Sequence, residues 1–228
     1  MPFVLPPPPT PSVAVADSDQ RFPVRRIFCV GRNYAAHARE MGKDPEREPP
    51  FFFCKPADAV VDDGEEVAYP PLTQNFHYEA ELVVAIGRGG RDIDLADALN
   101  HVWGYAAGND LTRRDLQLAA RDQGRPWDFG KAFDRSAVIG PIHSVAKVGH
   151  LPRGAIHLTV NGVAKQTGDL ADLIWSVPEI IAYLSRSVTL ASGDLIMTGT
   201  PAGVAAVVNG DVMEGHVEGV GDLKVVVV

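Results

Sequence analysis

Apolar residues along this chain fall mostly in short runs and alternations, and few stretches keep a helical period. Runs bounded by Gly, Pro, Asn or Asp predict strands over residues 24–30, 51–55, 66–69, 77–86, 102–110, 157–161, 195–198 and 223–228. Asn161 and Gly162 form a hairpin signal, because both residue types tolerate the positive φ that tight turns require. Helical patterning is confined to a few segments. Residues 33–41 read as a short helix ended by Gly42, and 94–100 as another. Residues 112–122 carry Thr112 as an N-cap, Asp115 three residues on, and Gly124 just past the end. Residues 178–186 open on Pro178, which the first turn tolerates.

Strands therefore dominate without the alternation of βαβ units, and the expected class is α+β, a β-rich domain with a few short helices. Neither a 20–50-residue repeat nor a heptad is present. The 22 glycines and 18 prolines suit many turns between short strands. Prolines 6–9 favour extended polyproline geometry. Residues 1–20 read as an arm on the surface or reaching a partner subunit, or as a disordered tail. Residues 21–228 read as one body able to carry a catalytic site, with no linker to divide it.

Composition narrows the partners. The formal net charge of −8 argues against nucleic acid, though local Arg and Lys can still bind an acidic substrate. Cys29 and Cys54 lack metal-site or disulfide-scaffold spacing, so reduced thiols in a cytoplasm fit best. No run approaches the roughly 18 apolar residues of a membrane span, and residues 1–20 lack the basic-then-apolar layout of a signal peptide.

The candidate chemistry starts in FHYEAELVV. His77, Glu79 and Glu81 alternate along a predicted strand and so share a face. Two carboxylates on a buried face repel, and a hard divalent cation between them would relieve the repulsion. A solvated strand face fits the same spacing. Asp110, at the end of its strand, is placed to close such a site, while His77 reads as a neighbour of the ligands. His37 and Glu40 are three apart on a helix, which suits an oriented general base or a surface ion pair. Gly31 and Gly42 on either side would let that helix move as a lid. Arg114 with Gln117, together with Lys55 and Lys131, are cationic or hydrogen-bonding candidates. So is the turn Thr198, Gly199, Thr200, Pro201, whose Gly199 amide reads as free to hold an oxyanion. That turn lacks the phosphate-loop pattern, and no nucleophile elbow exists.

Taken together and in order, CVGRNYAAHAREM, FFFCKPADAVV, FHYEAELVV, GYAAGNDLTRRDLQ, GRPWDFGKAFD, VNGVAKQTGD, SVPEIIAYLS and GDLIMTGTPAGV resemble the fumarylacetoacetate hydrolase family. The resemblance runs from about residue 28 to the C-terminus and is to the small single-domain members. It implies a mixed β-sandwich roll with few helices, usually a homodimer. It implies Mg2+, with Mn2+ or Ca2+ as alternatives, held by Glu79, Glu81 and Asp110. His37 and Glu40 then match the catalytic pair on a lid, and Lys131 matches a lysine that helps stabilise an enolate. Arg114, Gln117, Lys55 and Thr200 match substrate contacts. The implied reaction is hydrolysis of a carbon–carbon bond in an acylpyruvate, a small 2-oxo diketo acid. The run from residue 30 to 61 and the proline-rich arm are most similar to bacterial members that cleave fumarylpyruvate in gentisate breakdown. A second substrate carboxylate would then need a further cation, with Arg32 and Arg47 as candidates. The same scaffold also supports oxaloacetate decarboxylation, general acylpyruvate cleavage, and isomerisation or decarboxylation of a hydroxylated dienedioate. A non-catalytic metal-stabilised binding protein is the reading from another class.

Overall fold

A computed structural model describes residues 3–40 and 48–228. Its frame is a large mixed sheet ordered Phe51–Lys55, Arg26–Gly31, Asp194–Met197, Ala80–Ile86, Val102–Asp110, Ala137–Ile139 and Val60–Asp62. Neighbours run antiparallel, except that Asp194–Met197 lies parallel to Arg26–Gly31 and Ala137–Ile139 parallel to Val60–Asp62. A second sheet is ordered Val163–Asp169, Ala155–Val160, Val212–Val217, Gly221–Val227 and Glu66–Val67. The result is the expected β-rich α+β roll with few helices.

The apolar runs follow from burial of the large sheet on both faces. Leu82, Val84 and Ile86 pack in one cluster with Ile156, Leu158 and Val225 of the second sheet and with Ile180 and Leu184 of helix Val177–Ser187. Val83 and Ala85, pointing the other way, pack with Cys29, Leu195, Met197 and Ala106, under Val13 and Phe22 of the N-terminal segment. Ser12–Ala14 pairs with Arg21–Pro23, and the Arg21 guanidinium bonds both oxygens of Asp62. Prolines 6–9 are exposed.

Most predicted elements coincide with observed ones, and the differences have local causes. Residues 77–86 form two pieces, Phe76–His77 and Ala80–Ile86. Between them the Asn109 side chain accepts from Glu79 N at 2.8 Å, while Glu79 O accepts from Asp110 N at 2.9 Å. Thr112 is no N-cap: Thr112–Arg113 pairs with Phe76–His77, and helix α2 begins one residue later, spanning Arg114–Asp122. Asp115 instead accepts from Thr73 Oγ1 and Gln74 N, anchoring a neighbouring loop. Residues 94–100 give only a 3-10 turn over Ala98–His101, preceded by i→i−3 bonds such as Asp97 N to Asp94 O. The helix predicted over 33–41 covers Ala35–Glu40, here called α1, and helix Val177–Ser187 carries proline in its first turn as expected. Arg47 and Gly42 lie outside the described residues.

Candidate active site

The site occupies one end of the sheet face that carries Val83 and Ala106. Strand alternation puts Glu81 in line with Val83, Asp110 with Ala106, and Lys55 with Phe53. Glu79, just before the strand, completes a buried group of three carboxylates whose oxygens lie within 4.8 Å of one another.

Charge compensation differs from what the spacing alone suggested, since protein cations already lie among the carboxylates. Lys131 Nζ bonds Glu79 Oε2 and Asp110 Oδ2, both at 2.8 Å. Arg114 bonds Glu79 Oε1, and Lys55 Nζ lies 2.7 Å from Asp110 Oδ1. Three carboxylates thus face three cations. The short helix Asp128–Lys131, α3, delivers Lys131, while His77 Nδ1 accepts from Arg114 Nε at 3.4 Å. Lys55 is fully enclosed behind Asp110, also bonding Leu111 O at 3.1 Å, and does not line the cavity. The resemblance implied a substrate contact for it; in this structure its ammonium lies against Asp110.

The carboxylates are electrostatically unequal. Burial opposes ionisation of Glu79, but Lys131 and Arg114 outweigh it and hold that carboxyl well below its ordinary value. Glu81 is pushed well up, first by burial and then by Asp110 and Glu79. The Gly199 amide donates to Glu81 Oε2 at 2.7 Å. Gly199 is therefore committed to Glu81 and is not the free oxyanion donor expected from its turn. Its φ of +100° and the 2.8 Å approach of Asn33 Cβ to any added Cβ explain why glycine stands there.

The donors suit a hard divalent ion: three buried carboxylates offer only oxygen. Asp110 Oδ1 has a lysine ammonium at 2.7 Å yet accepts no aligned hydrogen bond among the described residues, so it retains lone-pair capacity toward an ion.

His37 on α1 lines the same cavity, with Glu40 behind it on the same helix. His37 is buried and its Nδ1 lies 3.2 Å from Glu40 Oε2. The Gly203 amide donates to both Glu40 oxygens at 3.1 and 3.2 Å. Burial lowers the His37 pKa from its usual value, against the pull of Glu79 and Glu40. Gly31, expected as a hinge, is instead a strand residue, and a Cβ there would meet the Phe51 ring at 2.0 Å. The positive φ, 57°, falls on Arg32. Arg32 lies over the Phe51 ring at 5.2 Å and lines the cavity with Arg114, Gln117, Lys131 and Thr200. Gln166 donates to Thr200 Oγ1 at 2.7 Å, which leaves the hydroxyl its own proton to donate.

Residues that the sequence reading did not single out complete the frame. Asn33 Nδ2 donates to Trp175 O and Thr198 O, and its Oδ1 accepts from Trp175 N at 2.7 Å. Arg121 also lines the cavity, and its position four after Gln117 and seven after Arg114 was a helical signal available in the sequence. An outer groove of about 610 Å3, walled by Phe51, Phe53, Trp127 and Arg125, shares Arg32, Phe53, Trp127 and Lys131 with the inner cavity.

The model of the family described as fumarylacetoacetate (FAA) hydrolase C-terminal matches residues 26–228. The chain belongs to the fumarylacetoacetate hydrolase family. It is 58% identical, with a TM-score of 0.98, to the crystal structure of fumarylpyruvate hydrolase from Pseudomonas aeruginosa in complex with Mn2+ and pyruvate, covering 100% of this chain and 99% of that one. A fumarylpyruvate hydrolase of a Ralstonia species is 50% identical over 184 residues, 81% of this chain and 95% of the relative. A mitochondrial oxaloacetate tautomerase of Rattus norvegicus is more distant, 39% identical over 200 residues, 88% of this chain and 90% of the relative. Family membership thus extends over the whole roll, and both sides of the site lie within the matched residues.

Proposed function

We propose that this protein is a divalent-metal-dependent hydrolase that cleaves fumarylpyruvate to fumarate and pyruvate. The observation that carries the reading is one cavity lined by Glu79, Glu81 and a carboxylate-oriented histidine, with Asp110 buried beside the two glutamates to complete an oxygen-only group. The full-length likeness to a fumarylpyruvate hydrolase that binds Mn2+ and pyruvate supports it.

Glu79, Glu81 and Asp110 would hold the ion, with Mg2+ as the native choice and Mn2+ or Ca2+ as substitutes. When bound, it supplies Lewis acidity to two neighbouring oxygens of a 2-oxo acid. The protein's three cations already balance its three carboxylates, so a divalent ion leaves the site near +2, matched to a substrate carrying a carboxylate and a developing enolate.

Nδ1 of His37 faces Glu40, so the imidazole proton resides there and Nε2 is left as the base. His37 takes a proton from water, and the hydroxide oxygen bonds to the carbonyl carbon of the fumaryl group. The carbon–carbon bond to the pyruvyl methylene breaks, and its electron pair passes to the pyruvyl fragment. Lys131 spends two of its three N–H donors on Glu79 and Asp110 and retains one for the enolate oxygen. The proton taken by His37 is returned to the enolate carbon, giving pyruvate, and the acyl fragment leaves as fumarate once its new carboxyl group loses its proton to solvent. Arg114, Gln117, Thr200 and Arg32 orient the acid.

We further infer a cytoplasmic homodimer serving aromatic catabolism, consistent with two free cysteines. The test follows loss of diketone absorbance for fumarylpyruvate and acetylpyruvate, with oxaloacetate assayed separately, in chelator and after Mg2+ or Mn2+ is restored. Metal-dependent cleavage of fumarylpyruvate to the two acids is expected. Turnover of oxaloacetate alone would replace this reading with the decarboxylase or tautomerase chemistry of the more distant relatives.

A further inference from the structure

We infer that Arg121 is the specificity residue that clamps the far carboxylate of a seven-carbon dioic substrate, so that helix α2 acts as a ruler for acyl length. The inference rests on reading the cavity as a 2-oxo acid site. Arg114, Gln117 and Arg121 all line that cavity, at positions 1, 4 and 8 of α2. Residues three and four apart share a helix face, so these three form one row pointing inward. Arg114 marks the inner end, where it bonds Glu79, and its Nη1 donates to Gln117 Oε1 at 2.5 Å.

Seven residues of helix separate the two arginines by about 10 Å along the axis. An extended seven-carbon diacid places its terminal carboxyl carbons about 8 Å apart, from ordinary C–C bond lengths. The difference lies within the swing of an arginine side chain. A five-carbon acylpyruvate ending in a methyl group would stop short of Arg121.

Arg121 is free to exchange partners. Its present ion pair is with its own neighbour Asp122, at 2.8 Å, and the Asp122 side chain is 63% exposed. Such a pair contributes little, and a substrate carboxylate can replace it with a two-pronged bond. Arg32 is less suited because its guanidinium lies over the Phe51 ring.

The test compares the protein with Arg121→Gln and Arg121→Lys, using two readouts. The first is the ratio of kcat/KM for fumarylpyruvate to that for acetylpyruvate. Arg121→Gln should lower this ratio by about 10- to 100-fold, the value of a charge-assisted pair, chiefly through KM, with partial recovery in Arg121→Lys. The second is binding of 2-oxoheptanedioate against 2-oxoheptanoate, equal in length but differing in the far carboxylate. The unmodified protein should bind the diacid at least tenfold more tightly, and Arg121→Gln should erase that preference. A ratio and a preference both unmoved by Arg121→Gln, or moved instead by Arg32→Gln, would overturn the inference. If no acylpyruvate is turned over but the diacid preference is present and lost in Arg121→Gln, the hydrolase reading fails while the clamp stands.

Discussion

Replacing Lys131 by Met tests whether the buried charges form a matched set. Methionine keeps much of the alkyl volume and removes the ammonium. Glu79 and Asp110 each lose a bond of 2.8 Å, and three carboxylates are left with two cations. Breaking a buried ion pair by removing one partner costs about 3–5 kcal/mol. For a chain of this size each kcal/mol moves the midpoint by about 2–4 °C, so thermal unfolding in chelator should fall by about 6–20 °C. Added Mg2+ should restore part of this, and raise the variant more than the unsubstituted protein, because ion binding to the folded state stabilises it by mass action. The loss should be larger in alkaline than in mildly acidic buffer. Glu81 is already pushed up, so proton uptake there relieves the excess negative charge as pH falls. Circular dichroism melts with and without metal at two pH values suffice. A midpoint within about 2 °C of the parent in chelator, or identical metal gains in both proteins, would refute the matched-charge account.

Burial lowers the His37 pKa, and the base must be neutral, so kcat/KM should stay level through the ordinary histidine value of about 6.5 and fall only below it. A limb centred above neutrality, with no substrate titration to explain it, would contradict the assignment. His37→Ala should lose about 10²–10⁴ in kcat while its melting curve remains cooperative, whereas unchanged turnover would favour a binding protein. Asn33→Ala removes three side-chain hydrogen bonds and should cost about 2–4 kcal/mol by denaturant titration. Chelation should abolish turnover reversibly, as read by recovery on Mg2+ or Mn2+ addition; full activity in chelator would remove the ion from the reaction.

How far the sequence reached depended on whether a contact was local. Strands 51–55 and 102–110 were legible to the residue: 102–110 is buried on both faces, and 51–55, a half-buried edge strand, is the apolar run FFFC closed by Lys55 and Pro56. Val163–Asp169 was not, since most of its residues are exposed or half-buried and VAKQTGD carries no alternation. The carboxylate group was half legible: Glu79 and Glu81 by strand spacing, Asp110 by its strand end. Lys55, Arg114 and Lys131 come from separate elements, and only folding shows that they neutralise those carboxylates. The Gly199 amide looked vacant because its acceptor, Glu81, is 118 residues away.

The segment from Thr198 to Gly203 touches both halves of the chemistry. Gly199 fixes Glu81, and Gly203 fixes Glu40. Asn33, which precedes α1, is bonded to Thr198, and Gln166 clamps Thr200 and Pro201. Under the proposed roles, metal affinity and base orientation would be mechanically geared through this one piece of backbone. Substitutions there should be pleiotropic, moving metal dissociation and the acid limb together. The acyl end inferred for α2 would lie on a separate helix and be free to drift. Divergence to new acyl groups can then proceed by change on α2 while the gearing stays fixed.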